Sequence, residues 1–254
     1  MLKLHFMAGL LFLCASINWV HADSSRLNSL LEEGKNMMKI ENNKSFDKQN
    51  FREAERTFNE GLILATEQKN EDLISEFLRN IAGVYFKTDR DKEALEGWNR
   101  CLVIDTKLKN VKRQALTSNN LGIYYWKHKD YGKSSEYFHR ALKMFKEVQD
   151  QEWEAKVLDC LGKIYRESGE TLKALVYLEK SLKVSQESGN RSLEASTLCT
   201  LAYIYLTAGD TAKASNCSER LMKIIDNIES VNVKKHALDI SKAVQDAVSK
   251  SKNR

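Results

Sequence analysis

Small and apolar residues return along this chain at a period of forty. Ile81, Leu121, Leu161 and Leu201 share one phase, and Ala82, Gly122, Gly162 and Ala202 follow them. Three places further stand Tyr85, Tyr125, Tyr165 and Tyr205. A second series runs Ala54, Ala94, Ser134, Ala174 and Ala214, then Phe58, Trp98, Phe138 and Leu178, then Gly61, Cys101, Ala141 and Ser181. Spacings of three, four and seven place each series on one stripe of a helix. Glycine or alanine at a fixed phase lets a neighbouring helix come close, and aromatic rings fill the space beside it. The pattern predicts two amphipathic helices per period, with Tyr125 buried between repeats.

The punctuation keeps the same period. Gly169 and Gly209 can end a helix in the left-handed conformation, and Asp130 and Asp210 can cap the next one. At the other junction Asn70, Asn110, Asp150 and Asn190 share a phase. Each period therefore reads as two antiparallel helices and two short turns. Such a pair cannot bury its apolar face alone, so the units must stack. Two units are irregular. In the first, Gly34 is the small residue and Ala54 follows twenty places later, which marks an eight-residue insertion within 41–50. In the fifth, Ser218 and Leu221 stand where the aromatic and the small residue are expected. Residues 231–249 read as a last helix whose Lys234, Lys235, Asp239, Lys242 and Asp246 give the stack a polar end.

This arrangement resembles the tetratricopeptide repeat, which holds a small residue, a tyrosine and two alanines at fixed places. Gly122, Tyr125, Ser134 and Ala141 occupy those places. A forty-residue period is similar to the subclass found in kinesin light chains, Leu-Gly-Asn repeat adaptors and bacterial peptide-sensing regulators. The resemblance implies an all-α, right-handed superhelical solenoid of five antiparallel helix pairs with a C-terminal capping helix. Its divisions fall at 23–70 for the irregular first repeat, 71–110, 111–150, 151–190 and 191–230, with 231–254 as cap and tail. It also implies a concave wall lined by first-helix residues that leave the core. Arg79, Asn80, Asn119, Asn120, Trp126, Lys127, Lys156, Lys163 and Tyr203 are the candidates for it. Asparagine amides can pair with a peptide backbone. Trp126 suits a buried anchor and equally suits packing between repeats. Chaperone-binding relatives grip a carboxylate with five basic or amide residues. Arg79, Asn120 and Lys156 match three of those places, while Gly83 and Cys160 do not.

The function implied is a non-enzymatic scaffold or adaptor that binds a peptide or protein segment in the groove. A peptide-sensing module whose output lies in another protein is the alternative, and a homo-oligomer built through the end units is a third class. Composition agrees with helices: the chain has no proline, which helix interiors exclude. Its 40 basic and 35 acidic residues are intermixed, so no nucleic-acid footprint is expected. Phosphate loops, metal motifs and nucleophile elbows are missing from the sequence, so neither enzyme chemistry nor a cofactor is expected.

Residues 1–22 read as a signal peptide, with Lys3 before an apolar run and small residues leading to Ala22/Asp23. The expectation is the secretory pathway or the extracellular space, or the periplasm in a bacterium, with no stable membrane span after cleavage; an uncleaved anchor is the rival. Asn43 and Asn190 then become candidate glycosylation acceptors. Cys101, Cys160, Cys199 and Cys217 read mainly as packing residues, with a Cys199–Cys217 bridge left open.

Overall fold

The computed structural model describes residues 25–38, 48–228 and 230–252. The predicted leader, the Ala22/Asp23 junction, Asn43 and most of the insertion lie outside them. Helix α1 spans 25–38. The next helices are α2 (Lys48–Glu67), α3 (Glu71–Lys87), α4 (Asp91–Lys107), α5 (Val111–Lys127), α6 (Tyr131–Glu147), α7 (Gln151–Glu167), α8 (Thr171–Glu187), α9 (Arg191–Thr207) and α10 (Thr211–Ile224). A 3-10 turn at Ile225–Asn227 leads to α11 (Val231–Lys252). Two compact units divide after Leu108. In the first, α2 packs on α3 and α3 on α4, with Leu27, Leu30 and Leu31 of α1 in the same core. In the second, neighbouring helices pack from α5 to α10, and α11 lies against both α9 and α10.

From α3 onward the helices start every twenty residues, and the caps explain the regularity. Asn70, Asn110, Asp130, Asp150, Asn190 and Asp210 each accept the backbone N–H three places on, at 3.0–3.2 Å. Each bond satisfies a donor that the first helical turn leaves free. Arg90 and Glu170 stand at the cap positions of α4 and α8 without such a bond.

The residue before every cap is left-handed. Gly169, Gly189 and Gly209 have φ of 70–84°, and Lys69, Asp89, Lys109, Lys129 and Gln149 have φ of 53–60°. The sequence pointed only to two of the glycines, because the other side chains disfavour this conformation by about 1–2 kcal/mol. Lys129→Gly is therefore expected to stabilise the protein by about 0.5–1 kcal/mol, the relieved strain less the chain entropy of glycine. A thermal melt reads the sign, and a lower melting temperature would count against the turn geometry.

Packing matches a small residue on each first helix to a large one on the second. A Cβ at Gly122 would stand 2.8 Å from the Phe138 ring, one at Gly162 2.5 Å from Leu178, and one at Gly34 2.4 Å from Phe58. The last pair is eight residues further apart in sequence than the others, the length of the predicted insertion. Ala54, Ala94, Ala174 and Ala214 are fully buried, as are Phe58, Phe138 and Leu178. Ser218 and Leu221 fill the corresponding space in the fifth pair. Ala237, Ile240 and Val244 of α11 are buried, while Lys235, Asp239, Lys242 and Asp246 stay exposed. Cys199 and Cys217 lie in one core cluster as free thiols, so no bridge joins them.

Tyr125 departs from expectation: it is half-buried. It sits in the last turn of α5 at the edge of the stack, where its hydroxyl keeps access to polar surroundings. Its ring stacks on Tyr137 at 5.4 Å, as Tyr165 does on Tyr177 at 5.3 Å. Lys133, Lys173 and Lys213 lie 5.1–5.4 Å over Tyr125, Tyr165 and Tyr205 in turn. The column is thus a row of cation-covered rings.

Candidate functional site

The first helices of the second unit, α5, α7 and α9, form a polar wall laced by side-chain links. Asp159 on α7 is 4% exposed. Its carboxylate accepts from Lys163 Nζ at 2.5 Å and from the Thr197 hydroxyl of α9 at 3.0 Å. Lys163 Nζ also donates to Ser196 Oγ at 3.1 Å. These bonds compensate an acid that would be costly to bury alone. About two turns beyond Asp159 on α7, Glu167 accepts from the Trp126 indole N–H of α5 at 2.6 Å. Glu167 also pairs with Arg166 at 3.2 Å, and the Arg166 guanidinium lies 5.4 Å over the Tyr203 ring of α9. Three helices are thereby tied in sequence by Trp126, Glu167, Arg166 and Tyr203.

Of the predicted wall residues, Lys163, Trp126 and Tyr203 are brought into this lattice. Lys156 pairs with Glu152 at 2.6 Å and covers the Trp153 ring at 4.6 Å. Asn120 is half-buried and Lys127 exposed. Asn119 is placed differently from the prediction, being only 4% exposed. It shares its phase with Asp159 and Cys199, which are also buried. Trp126 shares that face by angle but lies two turns nearer the helix end and is half-buried, its N–H already engaged.

Arg79 and Asn80 belong to the first unit. The Arg79 guanidinium stands 3.8 Å from Asp105, whose side chain is fully buried. Asp105 also accepts from Ser75 at 2.7 Å. The Asn80 amide donates to the Glu76 carbonyl of its own helix at 2.8 Å. Arg79 therefore serves an internal acid, and the carboxylate-gripping reading loses its first member. Glu167, Thr197 and Asp105 were missed. Only Asp105 left a mark in the sequence: it breaks a buried series in which Ala65, Phe145 and Ser185 hold the same phase.

Tyr203 stands out by exposure. It is 48% exposed, and among the described residues it is the only exposed large apolar side chain on a first helix. Burial pushes the Cys160 and Cys199 thiols up to about 12, which keeps them protonated and poorly nucleophilic near neutral pH. Among the described residues no cluster of three or more His, Cys, Asp or Glu could hold a metal ion. None of the described helices is long and apolar enough to cross a membrane.

A model of the Tetratricopeptide repeat family matches residues 73–147 and 153–227, more than half of the chain. No curated protein matches the sequence. Several solved structures are similar. BtubC (BKLC) from P. vanneervenii aligns at 25% identity over 69% of this chain and 73% of its own, with a TM-score of 0.63. A kinesin light chain with nearly identical repeats from Podosopora anserina aligns at 13% identity over 91% and 98%, with a TM-score of 0.58. A signal transduction ATPase with a tetratricopeptide repeat sensor from Pyrococcus horikoshii aligns at 19% identity and a TM-score of 0.66; 77% of this chain covers 30% of that one.

Proposed function

The chain belongs to the tetratricopeptide repeat family, and on that premise we propose that it is a non-enzymatic scaffold or adaptor. Its partner is a peptide or protein segment received on the wall of α5, α7 and α9. The exposure of Tyr203 carries this reading. A large amphipathic ring left half in water costs little conformational entropy to bury and makes a strong anchor. The surrounding wall is rigid and locally neutral, since Lys156, Lys163 and Arg166 all face acids. Complementarity there rests on shape and hydrogen bonding. Asn120 and the third Lys163 donor are the groups that remain for a peptide backbone.

Tyr203→Ala should weaken partner capture by more than about 1 kcal/mol and leave the melting temperature nearly unchanged. Trp126→Ala should do the reverse, because it frees Glu167 and opens the α5–α7 link. A binding titration beside a melt of the same samples separates the two. Equal binding by Tyr203→Ala and the parent protein would remove Tyr203 from the contact.

Export accompanies this reading. Residues 1–22 would direct the chain to the secretory pathway or periplasm, and mass spectrometry should find Asp23 at or near the mature N-terminus. An intact Met1 on the mature protein would refute export. Asn190 suits a glycan in that setting: its side-chain oxygen caps α9, which leaves the amide nitrogen for attachment. Asn43 is the second acceptor.

A further inference from the structure

The second helices of the second unit carry charge in columns. Because α6, α8 and α10 start at the same phase, residues forty apart hold equivalent places. Lys133, Lys173 and Lys213 form one column. Arg140, Lys180 and Arg220 form a second, and Lys143, Lys183 and Lys223 a third. The three helices hold ten basic and five acidic residues, an excess equal to the formal +5 of the whole chain.

The first column is neutralised where it stands: Lys133, Lys173 and Lys213 pair with Asp130, Glu170 and Asp210. The other two columns are not. Lys183 approaches Glu187 only at 3.9 Å, with both side chains exposed, a contact of little value in water. Arg140, Lys143, Lys180, Arg220 and Lys223 have no ion pair among the described residues. Glu136, Glu179 and Glu219 share these helices and do not come within pairing distance of them. The wall of first helices is the contrast, since Lys156, Lys163 and Arg166 there face acids. The first unit lacks the columns: α4 has Arg100 and Val103 at these places, and α2 has Glu60 and Ile63.

Unpaired bases one turn apart, repeated in register, repel one another and build a positive potential that an anionic partner relieves. The same face holds apolar groups. Leu172 is 81% exposed and Val176 48% exposed, and they precede Lys180 at helical spacings of four. A nucleic-acid or sulfated-sugar backbone would leave both in water. A bilayer would want apolar groups on more than one helix, and α6 and α10 have Gly132, Glu136, Ala212 and Asn216 at those places. We propose that the face of α6, α8 and α10 docks an acidic polypeptide segment running across the helices. Its acids lie on the second and third columns, and an apolar side chain lies on Leu172 and Val176. The protein then has two faces for two partners, a neutral wall with Tyr203 and a basic outer face.

The test uses the whole chain and a fluorescein-labelled glutamate-rich peptide with a central Leu-Val pair, read by anisotropy. Affinity should fall about tenfold or more between roughly 50 mM and 500 mM salt. The variant Lys143→Gln/Lys180→Gln/Lys183→Gln/Lys223→Gln keeps good helix formers and should lose binding with an unchanged melt. Leu172→Ser should weaken binding about threefold without altering the salt dependence. Tyr203→Ala should bind the peptide as the parent does, which keeps this face distinct from the wall. Unchanged binding by the glutamine variant overturns the proposal. So does peptide binding that never appears while heparin, RNA or phosphatidylserine vesicles bind through these lysines.

Discussion

Phe138→Ala is expected to cost about 3–5 kcal/mol of stability. The ring is fully buried and lies against Gly122, where a Cβ would stand 2.8 Å away. A glycine has no side chain to lean into the void, so the cavity stays open and the cost sits toward the upper end. Gly122→Val alone should also destabilise, by about 1–3 kcal/mol, because it drives a side chain into the ring. Combining the two should recover part of both losses, the sign of coupled neighbours. In a stacked repeat the damage is local. Hydrogen exchange should therefore show lost protection in α5, α6 and α7 before α11. Tyr125→Ala, by contrast, should cost less than Phe138→Ala, since its ring is only partly buried to begin with. Equal losses for Phe138→Ala and Tyr125→Ala would contradict the division between core and edge.

How much of this was legible in the sequence depended on the range of the forces involved. Helix pairs, their period, Gly34 and the eight-residue insertion were readable because packing of small against large residues repeats in sequence. Six of the eight caps were readable because capping is local. The left-handed turns at Lys69, Asp89, Lys109, Lys129 and Gln149 were not, since the conformation there follows from the packing of flanking helices and the residue types argue against it. Tyr125 was misjudged because helical phase gives an angle around the axis and says nothing of depth along the stack. Asn119 was misjudged for the same reason: its column is buried, while Tyr203 on a nearby turn stays open. The bond of Trp126 to Glu167 links residues forty-one apart and leaves no local trace. The charge columns were visible as a period only once helix starts were fixed, because in linear order the bases are diluted by acids.

Arg79→Met is expected to cost about 3–5 kcal/mol, the loss seen when one member of a buried ion pair is removed. Arg79 looked like a residue for an outside partner: a base on a first helix, at a place where relatives grip a carboxylate. Its side chain is only 11% exposed, and the acid it reaches is Asp105, with no exposure at all. Without that counter-charge Asp105 still accepts from the Ser75 hydroxyl, a neutral donor to a buried carboxylate. Burying both partners in water-free surroundings brings little net stability by itself, so replacing both should be far milder than replacing one. Arg79→Met/Asp105→Leu keeps similar volume and removes both charges. Ser75 can then turn its hydroxyl to a carbonyl of its own helix. The double variant should melt within a few degrees of the parent, while Arg79→Met melts well below it. The glutamate-rich peptide should bind the double variant unchanged, because the basic columns lie in the other unit. If Arg79→Met proves as stable as the parent and instead loses its partner, Arg79 is a contact residue and the internal role assigned to it is wrong.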